Sequence, residues 1–155
     1  MKAVVLAITH VIALAVGFAL GVYALPILIA PAAPSAADVA AQAGKAVYAG
    51  TFKRELKDSD ALHWGEGKVS IARDAIVFAG KLAPGPDYKL YLSPEFVETE
   101  ADFARLKTKM VRVAEVKTFD NFAVALPASV DVERYNSVII WCETFSQFIT
   151  AARYR

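Results

Sequence analysis

The sequence predicts an all-β protein, a two-layer β-sandwich-like domain preceded by one N-terminal transmembrane helix. Three observations carry that reading. From about Lys45 onward apolar residues recur with period two, and turn residues interrupt them at short intervals. Ahead of this lies an apolar run from Ala3 to about Ala30, broken only by Thr9, His10 and Pro26. A bilayer-crossing helix needs about 20 such residues, and this run supplies them. Finally, the hydrophobic fraction is 56% of the 155 residues, so the second face of the sheet must be covered, which requires two packed layers.

Residues 1–30 read as a retained signal-anchor. A secretory signal has a shorter apolar core of about 7–15 residues. The alternative is a cleaved, secreted form, for which Ala30-Pro31-Ala32 and Pro34-Ser35-Ala36 offer cleavage-like sites. Lys2 flanks the run on one side and no basic residue follows until Lys45. The positive-inside tendency then places the N-terminus in the cytoplasm and the domain on the periplasmic or outer side of the cell inner membrane. Gly17 and Gly21 form a Gly-x-x-x-Gly spacing, a pattern that also arises by chance in Ala/Gly-rich spans. Residues 31–46 form an Ala/Pro-rich linker, in which Ser35-Ala36-Ala37-Asp38 is a capping signal for a short helix reaching about Gly44.

The β domain occupies residues 47–155. Val47 to Leu56 is a first strand and Lys57-Asp58-Ser59-Asp60 a polar loop. Val69 and Ile71 face inward, with Lys68 and Ser70 outward; Arg73-Asp74 turns the chain, and Ile76 and Phe78 continue on one face. Pro84-Gly85-Pro86-Asp87 breaks the pattern, after which Tyr88, Leu90 and Leu92 lie opposite Lys89, Tyr91 and Ser93. Asp102 to Lys107 allows one or two helical turns. Val111–Phe119 and Phe122–Leu126 are expected to form a hairpin, with Asp120-Asn121 supplying a left-handed turn. A last strand runs from about Gln147 to Arg153.

The stretch Ser137-Val138-Ile139-Ile140-Trp141-Cys142 is apolar and β-branched, as suits a strand buried on both faces. Alternation puts Val138, Ile140 and Cys142 on one side and Ile139 and Trp141 on the other. Cys142 is the sole cysteine, which excludes an intrachain disulfide and any cysteine-rich zinc or iron–sulfur site. Its two readings are an inert small hydrophobe and an accessible redox thiol. Glu143 would raise the thiol pKa, whereas a protonated His63 would lower it. His63 is the one histidine outside the apolar run, and we expect it on the same side of the domain as Cys142. Core packing accounts for Trp141, and a register-setting turn accounts for Gly85, Pro86 and Asp87.

No Gly-x-Ser-x-Gly elbow, phosphate-cradling loop, His-Glu-x-x-His or dinucleotide fingerprint occurs, so no catalytic residue is assigned; a non-enzymatic redox accessory is the favoured reading and enzymatic activity is left open. No metal-ligand spacing appears either. The cofactor is left open, with haem or a metal at Cys142 among the possibilities. A formal net charge of +1 gives no reason to propose nucleic acid as partner.

Several blocks taken in order carry a resemblance. They are Gly50-Thr51-Phe52; His63 through Gly65 and Gly67; Gly85-Pro86-Asp87-Tyr88-Lys89-Leu90-Tyr91-Leu92-Ser93; Leu126-Pro127; and Tyr135 through Phe145. Together they resemble the electron transfer DM-thirteen domain family (membrane-tethered bacterial type) over about Val47 to Tyr154. The resemblance implies an extracytoplasmic β-sandwich-like module with a signature cysteine, matched by Cys142, and a suspected redox role. Asp120 departs from the family's usual hairpin glycine and Val124 from its usual aromatic. The resulting expectation is a membrane-anchored accessory domain with a redox or electron-transfer role through Cys142. His63, Trp141 and Glu143 would support it, and a membrane or periplasmic redox protein would be its partner. The alternative is a non-redox interaction or ligand-binding module in which the cysteine is structural.

Overall fold

The computed structural model describes residues 1–155. Helix α1 (Lys2–Ile29) contains the whole apolar run, and its large side chains stand exposed along most of its length. At 1.5 Å per residue it is about 42 Å long, more than the roughly 30 Å of a hydrocarbon core. It fits a single-pass membrane anchor or a signal sequence. Helix α2 (Ala36–Ala43) starts as the capping signal predicts: the Ser35 hydroxyl accepts from the Asp38 N–H at 3.2 Å.

Two antiparallel four-stranded sheets then form the sandwich. One has the order β1 (Tyr48–Phe52), β2 (Gly65–Ile71), β3 (Ala75–Leu82), β6 (Phe122–Ala125). The other has the order β5 (Val111–Val116), β4 (Tyr88–Ser93), β7 (Ser137–Cys142), β8 (Gln147–Arg153). Between them lies a core that includes Phe52, Val69, Ile71, Ile76, Phe78, Leu90, Leu92, Val138 and Ile140. Val69 and Ile71 are the inward positions expected, and Ile76 with Phe78, Leu90 with Leu92, and Val138 with Ile140 share faces as alternation requires. A second core, on the outer face of the β4–β7–β8 sheet, is closed by α3 (Glu100–Leu106), whose Phe103 and Leu106 pack with Tyr91, Ile139, Trp141 and Phe148. The central strand is thus buried on both faces, as its composition requires. On the other sheet, α2 lies over Ser70, Val77 and Ala79 with Val39 buried, so Ser70 faces outward yet is buried.

One expectation is overturned. The segments around β5 and β6 are not a hairpin: β5 pairs with β4 and β6 with β3, in different sheets. The physical reason is in the connection. Ser146 is the only non-glycine residue with a positive φ, so Asp120 and Asn121 do not adopt the left-handed conformations of a two-residue hairpin turn. Instead Phe119 accepts from the Leu82 N–H at 2.7 Å and the Asn121 amide oxygen accepts from the Gly80 N–H at 3.1 Å, which carries the chain across to the edge of β3. The first strand is also shorter than expected, ending at Phe52.

Candidate functional site: an apolar cavity beside Cys142

Antiparallel register places Tyr88 of β4 directly opposite Cys142 of β7, and both belong to the inter-sheet core. Cys142 is 3% exposed. The residues around this pair are held by the Gly85-Pro86-Asp87 turn. A Cβ on Gly85 would lie 2.4 Å from the Tyr88 hydroxyl oxygen and 2.5 Å from its ring, so only glycine lets the ring pass. The Tyr88 hydroxyl donates to the Ala83 carbonyl at 2.8 Å. Asp87 ties the turn after Cys142 to β4. Its carbonyl accepts from the Glu143 N–H at 3.0 Å and its carboxylate accepts from the Thr144 hydroxyl at 2.9 Å. Lys89, 2.7 Å from that carboxylate, holds it below the usual carboxylate range.

His63 arrives on the loop before β2. Asp60 organises that loop, accepting from the N–H groups of Leu62 at 2.6 Å and His63 at 2.8 Å. The same carboxylate meets His63 Nδ1 at 2.9 Å, leaving Nε2 without a partner in the protein. Burial pushes the Asp60 carboxyl up, but the His63 bond and the two backbone donors outweigh it and leave it lowered.

Between these elements and α1 lies a cavity of about 300 Å³. Its domain side is formed by Leu62, His63, Pro84, Gly85, Pro86, Tyr88, Cys142, Phe145 and Ile149, and its helix side by Phe18, Ala19, Val22 and Tyr23. His63 and Cys142 therefore line one cavity. Trp141 and Glu143 are on the opposite face of β7 and its continuation. Trp141 stacks on Phe103 with ring centroids 3.8 Å apart, and its buried indole N–H has no partner. Glu143 accepts from Lys107 Nζ at 2.8 Å and from the Tyr91 hydroxyl.

The electrostatics differ from the expectation at two points. Burial raises the Cys142 thiol above its ordinary pKa, the Asp87 carboxylate adds to this, and nearby backbone N–H groups offset it only in part. The carboxylate that acts on the sulfur is thus Asp87, not Glu143, because strand alternation turns Glu143 away. His63 is not among the groups that act most on the thiol. A neutral thiol is a soft, weakly polar contact, not a nucleophile at neutral pH. No three His, Cys, Asp or Glu side chains are grouped to hold a metal ion, so a centre at Cys142 and His63 would have to bring further ligands with it.

Tyr88, Phe145, Ile149 and the four helix residues are site residues that sequence reasoning missed. Tyr88 was legible as an inward position, but its pairing with Cys142 depends on register, and no local signal brings Phe18 or Tyr23 to the domain.

The Electron transfer DM13 family model matches residues 52–154, and the chain belongs to that family. No curated protein and no solved structure matches the chain.

Proposed function

We propose that this member of the Electron transfer DM13 family is a membrane-anchored accessory module on the periplasmic or outer side of the inner membrane, and that it takes part in electron transfer through Cys142. One observation carries the reading: the only thiol and the only histidine outside α1 line the same apolar cavity. Family membership and the length of α1 support it. Cys142 serves as a neutral, polarisable contact to a redox group, and His63, braced by Asp60, serves as the nitrogen donor or proton-accepting contact. Were that group a haem or a metal complex, it would supply the electron-carrying centre, while this chain would offer one sulfur and one imidazole nitrogen.

Protein purified in detergent from its own host tests the proposal by its absorbance spectrum and metal content. A coloured centre lost in Cys142→Ser, with the fold retained, is the expected result if the group is a chromophore. The topology is tested by protease added to spheroplasts, where digestion only after the inner membrane is broken would overturn it.

The near-complete burial of Cys142 within the core favours a second reading, a non-redox ligand-binding module with a structural cysteine. The two readings part at Cys142→Ser. The redox reading expects a folded but inactive variant, and the structural reading expects mild destabilisation with function kept.

A further inference from the structure

The position of the cavity along α1 has a chemical meaning. A span that begins at Ala3 covers the hydrocarbon core in about 20 residues and therefore ends near Val22. Tyr23, next in the chain, is the amphipathic ring type that settles at the headgroup level. Val22 and Tyr23 are also walls of the Cys142 cavity, so its mouth lies at the lipid–water interface. The domain is graded to match. Outside α1 it exposes three large hydrophobics, Val47, Leu62 and Phe145, and two of them rim this cavity. Further along the helix, at the level of Pro26 to Pro31, the domain presents Asp87, Lys89, Glu115 and Lys117. Apolar loop tips rim the cavity, and the Asp60 carboxylate near Leu62 is turned onto His63. A larger group of charges lies further along the helix, the arrangement of a surface that dips into the interface.

The lining also limits the ligand. It contains no Lys, Arg, Asp or Glu, so a phosphate or carboxylate head would enter without a counter-charge. Phe18, Tyr23, Tyr88 and Phe145 give it aromatic walls, which suit a planar ring. Its volume of about 300 Å³ is at the small end for ligand pockets, enough for a ring head whose apolar tail stays in the lipid. His63, with Nδ1 committed to Asp60, supplies one hydrogen-bonding nitrogen.

We propose that this cavity binds the neutral ring head of a lipid-soluble quinone/quinol pair drawn from the bilayer, with His63 Nε2, whose Nδ1–H is given to Asp60, accepting from a hydroxyl of the reduced form. The assignment is one of binding, and it rests on the reading of α1 as a membrane span. The test uses the full chain in nanodiscs of phosphatidylethanolamine and phosphatidylglycerol, titrated with a benzoquinone carrying a decyl chain and, separately, with the same probe reduced to the hydroquinone by dithionite. Tryptophan fluorescence is the reporter, read in a Trp141→Phe background so that only Trp64, adjacent to His63, emits. Quenching should saturate, and excess decanol should not relieve it. Ala19→Phe, which fills the cavity from the helix side, should raise the half-saturating concentration about tenfold. His63→Gln, which leaves the walls in place, should raise it about fivefold for the reduced probe. Quenching that rises without saturating, that is unchanged in both variants, or that decanol abolishes overturns the quinone site while leaving the membrane reading intact. A chain that does not remain in the nanodisc overturns both.

Discussion

Cys142 and Glu143 are neighbours in the chain and belong to two different faces of the same sheet. On the inner face Cys142 meets Tyr88, the Gly85-Pro86 turn and a cavity walled partly by α1. On the outer face Trp141, Tyr91, Phe148 and Phe103 belong to a second buried core, and Glu143 at its edge is satisfied by Lys107 and Tyr91. The outer face is packed, with Glu143 paired and only the Trp141 indole N–H left without a partner; the inner face near Cys142 is apolar and partly unfilled. The contrast teaches that the conspicuous aromatic and acidic residues of the motif build the strand's backing, while the less conspicuous cysteine and tyrosine face the space a ligand can enter.

The comparison can be broken most strongly from the outer face. Phe103→Ala removes a fully buried ring stacked on Trp141 and should cost about 3–5 kcal/mol in unfolding free energy, measured by urea denaturation of the detergent-solubilised chain. Because the cavity lies on the other face, whatever ligand it holds should bind the folded variant normally. An equal loss of binding and stability would show that the two faces are not separable.

The next largest effect is expected on the inner face. Gly85→Ala drives a Cβ into the Tyr88 ring and should cost about 1–3 kcal/mol by overpacking. Since Tyr88 is opposite Cys142, this change should also alter access to the thiol, read as the rate of alkylation by iodoacetamide. An unchanged melting temperature would contradict the close approach.

Reactivity sharpens the contrast further without touching the fold. With its pKa raised by burial, Cys142 should react with iodoacetamide at neutral pH more slowly than a free cysteine, and His63→Ala should not slow it further. A thiol faster than free cysteine that slows in His63→Ala would restore activation by the imidazole.

The smallest effect belongs to Glu143. Burial pushes its carboxyl up, but the bonds from Lys107 and Tyr91 outweigh this and leave its pKa lowered in the folded state. A group that titrates lower folded than unfolded binds fewer protons when folded. Its contribution is therefore present above the ordinary carboxylate pKa of about 4 and is lost as pH falls through the lower folded value. Lys107 is half exposed, so Glu143→Gln should cost only about 0.5–1 kcal/mol at pH 7. The difference from the parent should vanish in acid. A difference that persists at pH 2 would assign the effect to shape instead of charge.

How much could be read without the structure follows the range of the interactions involved. Strand faces are set by the covalent geometry of alternating side chains, so the inward assignment of Val69 and Ile71, the shared face of Tyr88 and Leu90, and that of Val138, Ile140 and Cys142 needed no partner strand. The Ser35 cap, the apolar length of α1 and the presence of a single thiol are equally local or compositional. Which strand pairs with which is a different kind of fact. The segments around Asp120-Asn121 looked like a hairpin in isolation, yet hydrogen bonds to Leu82 and Gly80, some forty residues away in the chain, send β6 to the other sheet. Register alone sets Tyr88 against Cys142, and Asp87 rather than Glu143 beside the thiol. The cavity itself is decided last, because its walls come from α1, the loop of His63 and the turn of Phe145. Sequence alone determined which residues are apolar, on which side of a strand they stand and that one sulfur is available. Tertiary structure decided what that sulfur faces, because burial and electrostatics depend on atoms brought near from distant parts of the chain.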